Sequence, residues 1–428
     1  MGDMAGLLGG GGAGGLLERL GGNLDKLWDM PMITSIAFHP RPAEPAYMGA
    51  TSGQFRDGTF DVSGGAKVSY RLFLPPSEKD VKSVVYNFHG NAEICTDISM
   101  VADLFHQCGA ALLSVDYRGF AWGSGQPSLG KLCNDADDCF RQGAAVLAAA
   151  GCGGAKRVAM GRSIGAVCAI HLAACHAAEI SGLVVDSGCM SLKEIPMVEM
   201  MAPQVLGPQA GQIFQQLKEP FDSYGKLARV GCPTLVMHGL RDEIIPHAQG
   251  TRCHERCASP DKKLRQWECA GHNDVNAMYG SEWWKEIAEL IGKAEAFDNA
   301  FPAGALVEAH SLSTPTFNGM QASVLGPQGE RIRVQFPEPH GEKALKPANL
   351  KVIDRAPNAF PDGAIVEAHS LGTTKVLNGV RGHVLGWQGD RILVAFPEPH
   401  GEKSLKQANL RLVDGSAPAG DAGEAGTA

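Results

Sequence analysis

The amino-acid sequence predicts an α/β protein in which a mostly parallel sheet carries helices on both faces and is followed by two small all-β repeats. Three observations predict this architecture. Short β-type runs alternate with helical patterns over residues 31–293, two near-identical segments follow at 303–354 and 362–414, and 428 residues exceed the size at which one core usually stops growing.

The strands and helices of the α/β domain are predicted from apolar runs and from apolar periodicity. The predicted strands are 68–74, 81–88, 111–116, 157–161, 182–186, 234–239 and 264–269. The predicted helices are 97–107, 129–150, 163–177, 247–257 and 283–293. Crossovers between parallel strands are right-handed, which leaves few topologies open.

The two C-terminal repeats are each predicted to form a small all-β module. Residues 305–312 recur as 364–371 and residues 336–343 recur as 396–403, with Asn-Gly dipeptides typical of tight turns between these blocks. Each copy closes with a Leu-Lys-x-x-Asn-Leu phrase. The pattern resembles Src-homology-3-like barrel modules, and it implies a protein or peptide ligand for the repeats.

The remaining segments are predicted from their composition. Residues 1–30 are Gly-rich and expected to be flexible, and residues 415–428 are expected to be disordered. Residues 189–221, rich in methionine, are expected to form a cap-like insertion. Linkers are expected at 294–302 and 355–361, where Pro, Ala and charged residues replace the periodic apolar ones.

Charge and cysteine usage favour a cytoplasmic protein with a small or neutral substrate. The net charge is −8 and no Lys/Arg run occurs, so nucleic acid is not expected as a partner. The twelve cysteines are scattered through apolar runs, which predicts free thiols in a reducing compartment. No cofactor or metal site is expected, because the Cys253-x-x-x-Cys257 pair lacks a second ligand pair. No secretory signal or apolar run of about 18 residues occurs; peripheral membrane contact stays open.

Gly161-Arg-Ser-Ile-Gly165 matches the G-x-S-x-G nucleophile elbow in the expected context, between an apolar strand and an apolar helix. Such a turn holds its serine in a strained conformation, and Gly161 and Gly165 provide the space that the crossing backbone needs. Ser163 is therefore the predicted nucleophile.

A serine hydroxyl is a weak nucleophile near neutral pH and needs a base that is oriented by an acid. Asp242 follows the strand predicted at 234–239, and His272 follows the strand predicted at 264–269. Both loops leave the carboxyl edge of the sheet, so we expect them to face the elbow. Glu243 is the alternative acid, because it is adjacent to Asp242.

The segment Phe88-His-Gly-Asn-Ala-Glu93 follows a predicted strand and is expected to supply part of the oxyanion hole. Gly90 permits the turn that would aim the Asn91 amide, together with the Ile164 amide, at the carbonyl oxygen. His89 is expected to brace this loop through hydrogen bonds.

The substrate-binding residues are less clearly marked. Arg118 is expected to form a structural ion pair, and binding of an acidic substrate group is the alternative. The flexible thioether side chains of Met190 and Met197 are candidates for lining an acyl pocket, with plain packing onto the sheet as the alternative.

Six segments carry a resemblance to a known family: Ala37-Phe-His-Pro40, His89-Gly-Asn-Ala92, Asp116-Tyr-Arg-Gly119, Gly161 to Gly165, His238-Gly239 with Asp242, and Ala270-Gly-His-Asn-Asp-Val275. From about residue 36 to residue 291 the chain resembles the α/β-hydrolase domain 17 and 13 group, which includes protein depalmitoylases, and more broadly the serine-aminopeptidase-like hydrolases. The resemblance implies the α/β-hydrolase fold and a triad of Ser163, Asp242 and His272. The first cysteine here is Cys95, whereas depalmitoylases of the domain 17 type carry an N-terminal cysteine cluster.

The sequence thus predicts a serine hydrolase that cleaves an ester or thioester through an acyl-Ser163 intermediate, with a small molecule or an acylated protein as substrate. S-acyl thioesters are favoured over carboxylesters, and amides come last. The alternatives are a lipase-like or peptidase-like enzyme, and a scaffold whose repeats bind peptides and whose hydrolase domain has lost activity.

Overall fold

The computed structural model describes most of the chain in two compact units, residues 1–357 and residues 358–428. The described residues are 24–45, 55–76, 81–200, 217–298, 300–329, 331–337, 339–354, 365–372, 374–388, 391–397, 399–406 and 409–413. Several expectations lie outside the described residues: the tail at 415–428, the flexible segment up to residue 23, and the linker at 355–361.

An eight-stranded, mostly parallel sheet forms the centre of the first unit, and this confirms the predicted fold class. Its strands are β1 (Phe55–Val62), β2 (Ala66–Phe73), β3 (Ser83–Phe88), β4 (Ala110–Val115), β5 (Lys156–Arg162), β6 (Ile180–Asp186), β7 (Thr234–Gly239) and β8 (Lys262–Trp267). They lie in the order β1-β2-β4-β3-β5-β6-β7-β8. Strands β3 to β8 pair in parallel, while β2 is antiparallel to both of its neighbours.

Strand β1 is absent from the sequence-based prediction. It lies at the edge of the sheet, pairs with β2 alone among the described strands, and exposes much of its length. Its sequence mixes Asp57, Gly58, Thr59 and Asp61 with few apolar residues, so no buried-strand pattern marks it.

Helices cover both faces of the sheet. They are α1 (Pro31–Ala37), α2 (Ser99–Gln107), α3 (Leu132–Ala149), α4 (Gly165–Cys175), α5 (Ser223–Leu227), α6 (Ala248–Arg256) and α7 (Val275–Ala296). Helix α7 begins eight residues before the predicted start and is kinked at Tyr279, where φ is −130°. Helix α4 follows the nucleophile elbow and is buried at every position except Cys175, as its run of Ala, Val, Ile and Leu dictates.

The N-terminal segment differs from its prediction as a flexible region. Residues Leu24–Asp29 form a 3-10 helix that leads into α1. Leu27 is fully buried and Trp28 is 2% exposed. The Trp28 indole N–H donates to the carbonyl of Lys218, 2.7 Å away, in the cap-like insertion. The burial of two large apolar side chains in a Gly-rich context explains why composition alone was misleading here.

The first β repeat forms a five-stranded antiparallel sheet within the first unit. Its strands are β9 (Leu306–Ala309), β10 (Gln321–Gln328), β11 (Arg331–Gln335), β12 (Glu342–Leu345) and β13 (Leu350–Asp354), in the order β12-β11-β10-β9-β13. This sheet packs on the segment after α5: the Arg333 guanidinium donates to the carbonyl of Ala228 at 3.0 Å. A Cβ on Gly326 would lie 3.2 Å from that carbonyl oxygen, so glycine permits the close approach.

The second β repeat forms a sheet of the same order in the second unit. Its strands are β14 (Ile365–Ala368), β15 (Arg381–Gln388), β16 (Arg391–Phe396), β17 (Gly401–Lys406) and β18 (Leu410–Leu412). Both copies carry a β-bulge at equivalent positions, before Gly326 and before Gly386. The all-β character expected of the repeats is present, and their likeness to Src-homology-3-like barrels stays a prediction.

Candidate active site

The elbow between β5 and α4 places Ser163 at the carboxyl edge of the sheet. Ser163 has a φ of +54°, a strained value for a residue with a side chain. A Cβ on Gly161 would lie 2.3 Å from the carbonyl oxygen of Gly165, and a Cβ on Gly165 would lie 2.1 Å from that of Phe88. The backbone therefore admits only glycine at both flanking positions.

Ser163, His272 and Asp242 form a hydrogen-bonded row. The Ser163 hydroxyl donates to His272 Nε2 at 3.0 Å, and His272 Nδ1–H donates to Asp242 Oδ2 at 2.7 Å. Ser163 and His272 are 7% and 5% exposed, and the Asp242 side chain is fully buried. The three predicted residues thus meet at distances suited to proton transfer from Ser163 to His272.

Asp242 is held as a carboxylate by several donors. Its Oδ1 accepts the backbone N–H of Ile244 at 3.0 Å and that of Ile245 at 2.7 Å. Burial alone would raise the pKa of Asp242, but hydrogen bonds from His238 and His272 and from the Ile245 amide outweigh it and lower the pKa. Glu243, the alternative acid, instead lines the neighbouring cavity.

His238 is a second histidine at the acid that the sequence did not mark as functional. Its Nε2 lies 3.0 Å from Asp242 Oδ2 and 3.0 Å from the carbonyl oxygen of Ile245, and the residue is fully buried. Asp242 therefore lies between two imidazoles. The signal in the sequence was the His238-Gly239 pair at the end of a strand.

The loop after β3 lies on the other side of Ser163. Asn91 and Ile164 both line the cavity at the nucleophile. Within the part of the chain that the structure describes, the Ile164 N–H has no protein acceptor in hydrogen-bond range. The Asn91 side chain is fixed by His39: it accepts the His39 N–H at 2.7 Å, and its amide donates to His39 Nδ1 at 2.8 Å.

His89 and Gly90 lie where the sequence predicts them. His89 is 4% exposed; its Nε2 lies 3.0 Å from Asp116 Oδ1 and its Nδ1 lies 2.8 Å from the carbonyl oxygen of Gly90. Burial alone would lower the pKa of His89, but its bond to Asp116 raises the pKa. His89 thus joins the loop to the sheet and does not face the cavity.

Arg162 and Glu93 connect the two loops that flank Ser163. Neither residue was predicted from the sequence to have a role in the site. Glu93 accepts the Gly90 N–H at 2.8 Å and forms an ion pair with Arg162. Arg162 donates to the carbonyl oxygen of His272 at 3.0 Å and to Asn273 Oδ1 at 2.8 Å. A Cβ on Gly90 would lie 2.6 Å from the Arg162 guanidinium, so this glycine also makes room for the bridge.

An apolar cavity of about 450 Å³ opens at Ser163. Its walls come from the N-terminal segment, the elbow, the cap-like insertion and the loop after β7. Apolar residues on these walls include Leu27, Trp28, Ile33, Leu129, Leu192 and Ile195. The N-terminal contribution is absent from the sequence-based prediction, although the spacing of Leu24, Leu27 and Trp28 was a signal that could have revealed it.

Of the three residues considered for substrate binding, Met197 lines the cavity, whereas Met190 and Arg118 do not. Met197 lines the cavity and is 50% exposed, as its candidacy requires. Met190 follows the packing alternative: it is 1% exposed and packs in the core outside the cavity. Arg118 forms the structural ion pair that the sequence favoured: it is 5% exposed and binds both carboxylate oxygens of Asp135 at 2.5 Å. The methionine-rich continuation of the cap, with Met201, Leu206 and Phe214, lies outside the described residues.

The described residues show neither a metal-binding cluster nor a membrane-spanning helix. No group of three or more His, Cys, Asp or Glu side chains there is arranged to hold a metal ion. None of the helices described is both long and apolar enough to cross a bilayer.

Comparison with known sequences finds relatives among α/β-hydrolases. Residues 79–224 match the family model described as serine aminopeptidase, S33. The α/β-hydrolase domain-containing protein aho-3 of Caenorhabditis elegans is 31% identical over 192 residues, which is 44% of this chain and 51% of that protein. Protein bem46 of Schizosaccharomyces pombe is 26% identical over 53% of this chain and 72% of its own length. The α/β-hydrolase domain-containing protein 17B of Xenopus laevis is 29% identical over 48% of this chain and 65% of its own length.

Comparison with solved structures finds partial likeness. The esterase Pf2001 of Pyrococcus furiosus has a TM-score of 0.47 and 17% identity, over 59% of this chain and 95% of that chain. A monoacylglycerol lipase of Paleococcus ferrophilus has a TM-score of 0.41 and 18% identity, over 56% of this chain and 99% of that chain. The chain spans about half the length of aho-3 and about two thirds of that of protein 17B. The strand order is that of the α/β-hydrolase fold, and the sequence is similar to these α/β-hydrolase relatives.

Proposed function

We propose that this protein hydrolyses carboxylic thioesters or esters with an apolar acyl chain, through an acyl-Ser163 intermediate. One observation carries the proposal: the hydrogen-bonded row of Ser163, His272 and Asp242 opens directly onto an apolar cavity. A nucleophile activated by a base and placed beside apolar walls suits an acyl group better than a charged or strongly polar substrate.

The reaction follows from the positions of the side chains. Ser163 Oγ attacks the acyl carbon while His272 Nε2 takes its proton, and Asp242 stabilises the imidazolium that forms. The backbone N–H groups of Ile164 and Asn91 are the proposed hydrogen-bond donors to the oxyanion. His272 then protonates the leaving thiolate or alkoxide, takes a proton from water that attacks the acyl-enzyme, and returns that proton to Ser163 as the carboxylic acid is released.

The size of the cavity suggests the length of the acyl chain. A cavity of about 450 Å³ lies within the range of about 300 to 1,000 Å³ that is typical of pockets for small organic ligands. We expect medium-length chains of roughly eight to fourteen carbons to be preferred over acetyl groups, because each buried methylene contributes about 0.8 kcal/mol.

A fluorophosphonate probe tests the nucleophile. We expect the probe to label the wild-type protein and not the Ser163→Ala variant. Ser187→Ala is the matched control, because Ser187 is also a buried serine at positive φ and does not line the cavity. If folded wild-type protein fails to react, the proposal is wrong, and the scaffold whose repeats bind peptides becomes the better hypothesis.

A panel of acyl thioesters and oxyesters tests the substrate class. Met197→Trp narrows the cavity and should lower kcat/KM for twelve-carbon chains about tenfold more than for four-carbon chains, the loss expected from about two unburied methylenes. Met100→Trp is the control, since Met100 is 93% exposed and does not line the cavity. An equal loss for both chain lengths would place the acyl group elsewhere.

A further inference from the structure

A second cluster of reactive groups lies at the far end of helix α4 from Ser163. It contains Cys133 in the first turn of α3, His171 and Cys175 in the last turns of α4, Lys226 in α5, and Arg229 just after α5. We refer to these five residues as the distal cluster. None of them lines the cavity at Ser163, and the proposed hydrolysis does not use them.

Cys133 lies against an ammonium group. Lys226 Nζ donates to Cys133 Sγ at 3.2 Å, and Lys226 is only 8% exposed, so little water screens the contact. The charge of His171 also acts on this sulfur. Burial alone would raise the pKa of Cys133, but Lys226 and His171 outweigh it and lower the pKa. The thiolate form of Cys133 is therefore favoured by its neighbours.

Cys175 has two cationic neighbours of its own. Its Sγ lies 3.7 Å from His171 Nδ1 and accepts an N–H of Arg229 at 3.8 Å. Burial alone would raise the pKa of Cys175, but His171 and Arg229 lower the pKa to about 6. A thiol with this pKa is largely ionised near neutral pH.

The carboxylate of Asp137 favours the charged forms of His171 and His176 beside the distal cluster. Asp137 Oδ2 lies 2.9 Å from His171 Nε2, and Asp137 Oδ1 lies 2.8 Å from His176 Nε2. Burial would lower the pKa of His171, but Asp137 raises it well above its ordinary value. Glu179 pairs with His176 and Arg157 at the edge of the cluster. His171 thus stands as a cation between two sulfurs.

Both sulfurs belong to partly exposed residues, unlike most cysteines of the α/β domain. Cys108 is partly exposed as well, and Cys269 is exposed. Burial and then Glu295 raise the pKa of Cys108. Exposure alone therefore does not distinguish the cysteines of the distal cluster from Cys108 and Cys269. The distinguishing feature is the contact of their sulfurs with Lys226, Arg229 and His171.

We propose that Cys133 and Cys175 form an oxidation site at which hydroperoxides convert a thiolate to a sulfenic acid. The thiolate sulfur attacks one peroxide oxygen, the O–O bond breaks, and a new S–O bond forms. Sulfur loses two electrons to the peroxide, which leaves as hydroxide or alkoxide and takes a proton from Lys226 or from solvent. Lys226 and Arg229 stabilise both the attacking thiolate and the leaving anion.

The test measures the rate of oxidation at each cysteine of the folded full-length chain. The protein is treated with hydrogen peroxide at pH 6.5, sulfenic acids are trapped with dimedone, and modified peptides are quantified by mass spectrometry. We expect Cys133 and Cys175 to react at least about tenfold faster than Cys108 and Cys269, because cationic side chains lie against both sulfurs of the pair and favour their thiolate forms. In urea the four rates should converge. If Cys108 or Cys269 reacts as fast as the pair in native protein, the proposal is overturned.

Two variants assign the effect to individual cations. Lys226→Met should slow oxidation of Cys133 about tenfold and that of Cys175 less, whereas Arg229→Met should slow Cys175 more than Cys133. Circular dichroism verifies that each variant is folded. Unchanged rates at both cysteines in folded Lys226→Met would contradict the proposed role of the ammonium group. The comparison of the four cysteines in wild-type protein still decides the proposal if a variant fails to fold.

Discussion

The two ends of helix α4 present similar chemistry in different surroundings. At its N-terminal end, the His272–Asp242 pair lies beside Ser163 and an open apolar cavity. At its C-terminal end, His171 and His176 share the Asp137 carboxylate, and His171 lies beside the Cys175 thiol. An imidazole bound to a carboxylate is thus not enough to indicate hydrolysis. A strained nucleophile with room for a substrate beside it distinguishes the first end from the second.

The largest expected effect comes from removing the carboxylate at one end or the other. Asp242→Asn should lower kcat/KM for a medium-chain thioester by about ten-thousand-fold, because the amide can no longer fix the imidazole tautomer or stabilise the imidazolium. Asp137→Asn should leave kcat/KM within about tenfold of wild type, although it loses stability as a buried pair is broken. Rates are normalised to the folded fraction measured by circular dichroism.

Equal losses of activity in the two folded variants would break the comparison, since the distal carboxylate would then matter to the chemistry. Asp242→Glu offers a further control. It keeps the charge but displaces it by one methylene, and its activity should lie between those of wild type and Asp242→Asn.

The next largest effect is the difference in kcat expected between substitutions of the two arginines at opposite ends of β5. Arg162 bridges Glu93 and the carbonyl oxygen of His272, whereas Arg157 pairs with Glu179 at the distal end. Arg162→Gln should lower kcat about 10- to 100-fold with little change in KM, because the base and the oxyanion loop lose their common anchor. Arg157→Gln should change kcat less than about threefold. Steady-state kinetics on the same ester measures both, and a change confined to KM would instead assign Arg162 to substrate binding.

Much of the candidate site could be predicted because its signals are local. The G-x-S-x-G motif predicts the strand-turn-helix geometry around Ser163. The carboxyl ends of parallel strands meet at one edge of the sheet, so the loops that carry Asp242 and His272 were expected to converge near Ser163. The alternation of strands and helices predicted the central sheet. The polar edge strand β1 was not predicted, because it has one neighbouring strand among those described and contains few apolar residues.

The rest depends on partners distant in sequence. The sequence favoured an ion pair for Arg118 but could not name the residues at its guanidinium, which are Asp135 and Ser63. The distal cluster joins Cys133 to Lys226, 93 residues apart, and no spacing rule predicts such a contact. The N-terminal wall of the cavity was hidden by a Gly-rich composition, although Trp28 is held by Lys218 of the cap-like insertion.

A smaller effect concerns pH and the distal end alone. Burial would lower the pKa of His176, but Asp137 and Glu179 raise the pKa to about 9. The charged His176 therefore stabilises the folded state fully below its ordinary pKa of about 6.5, and this contribution is lost as the pH rises through about 9. Relative to His176→Gln, wild type should lose about 1 to 3 kcal/mol of unfolding free energy between pH 6 and pH 9.5. Urea unfolding at several pH values measures the difference, and a constant difference would show that His176 does not titrate in this range.

The smallest effect concerns the first β repeat, which packs beside the distal end. Arg333 donates to the carbonyl oxygen of Ala228, and the equivalent residue of the second repeat is Leu393. Arg333→Leu therefore replaces the contact with the side chain that the other copy uses, and it leaves the carbonyl oxygen without this donor. Because Arg333 remains partly exposed to water, the loss of stability should be about 1 kcal/mol, with no change in ester hydrolysis. Urea unfolding and kcat/KM measured on one preparation test both parts. A loss of activity at unchanged stability would mean that this contact acts on the site at Ser163, and the two ends of α4 could then no longer be treated as independent.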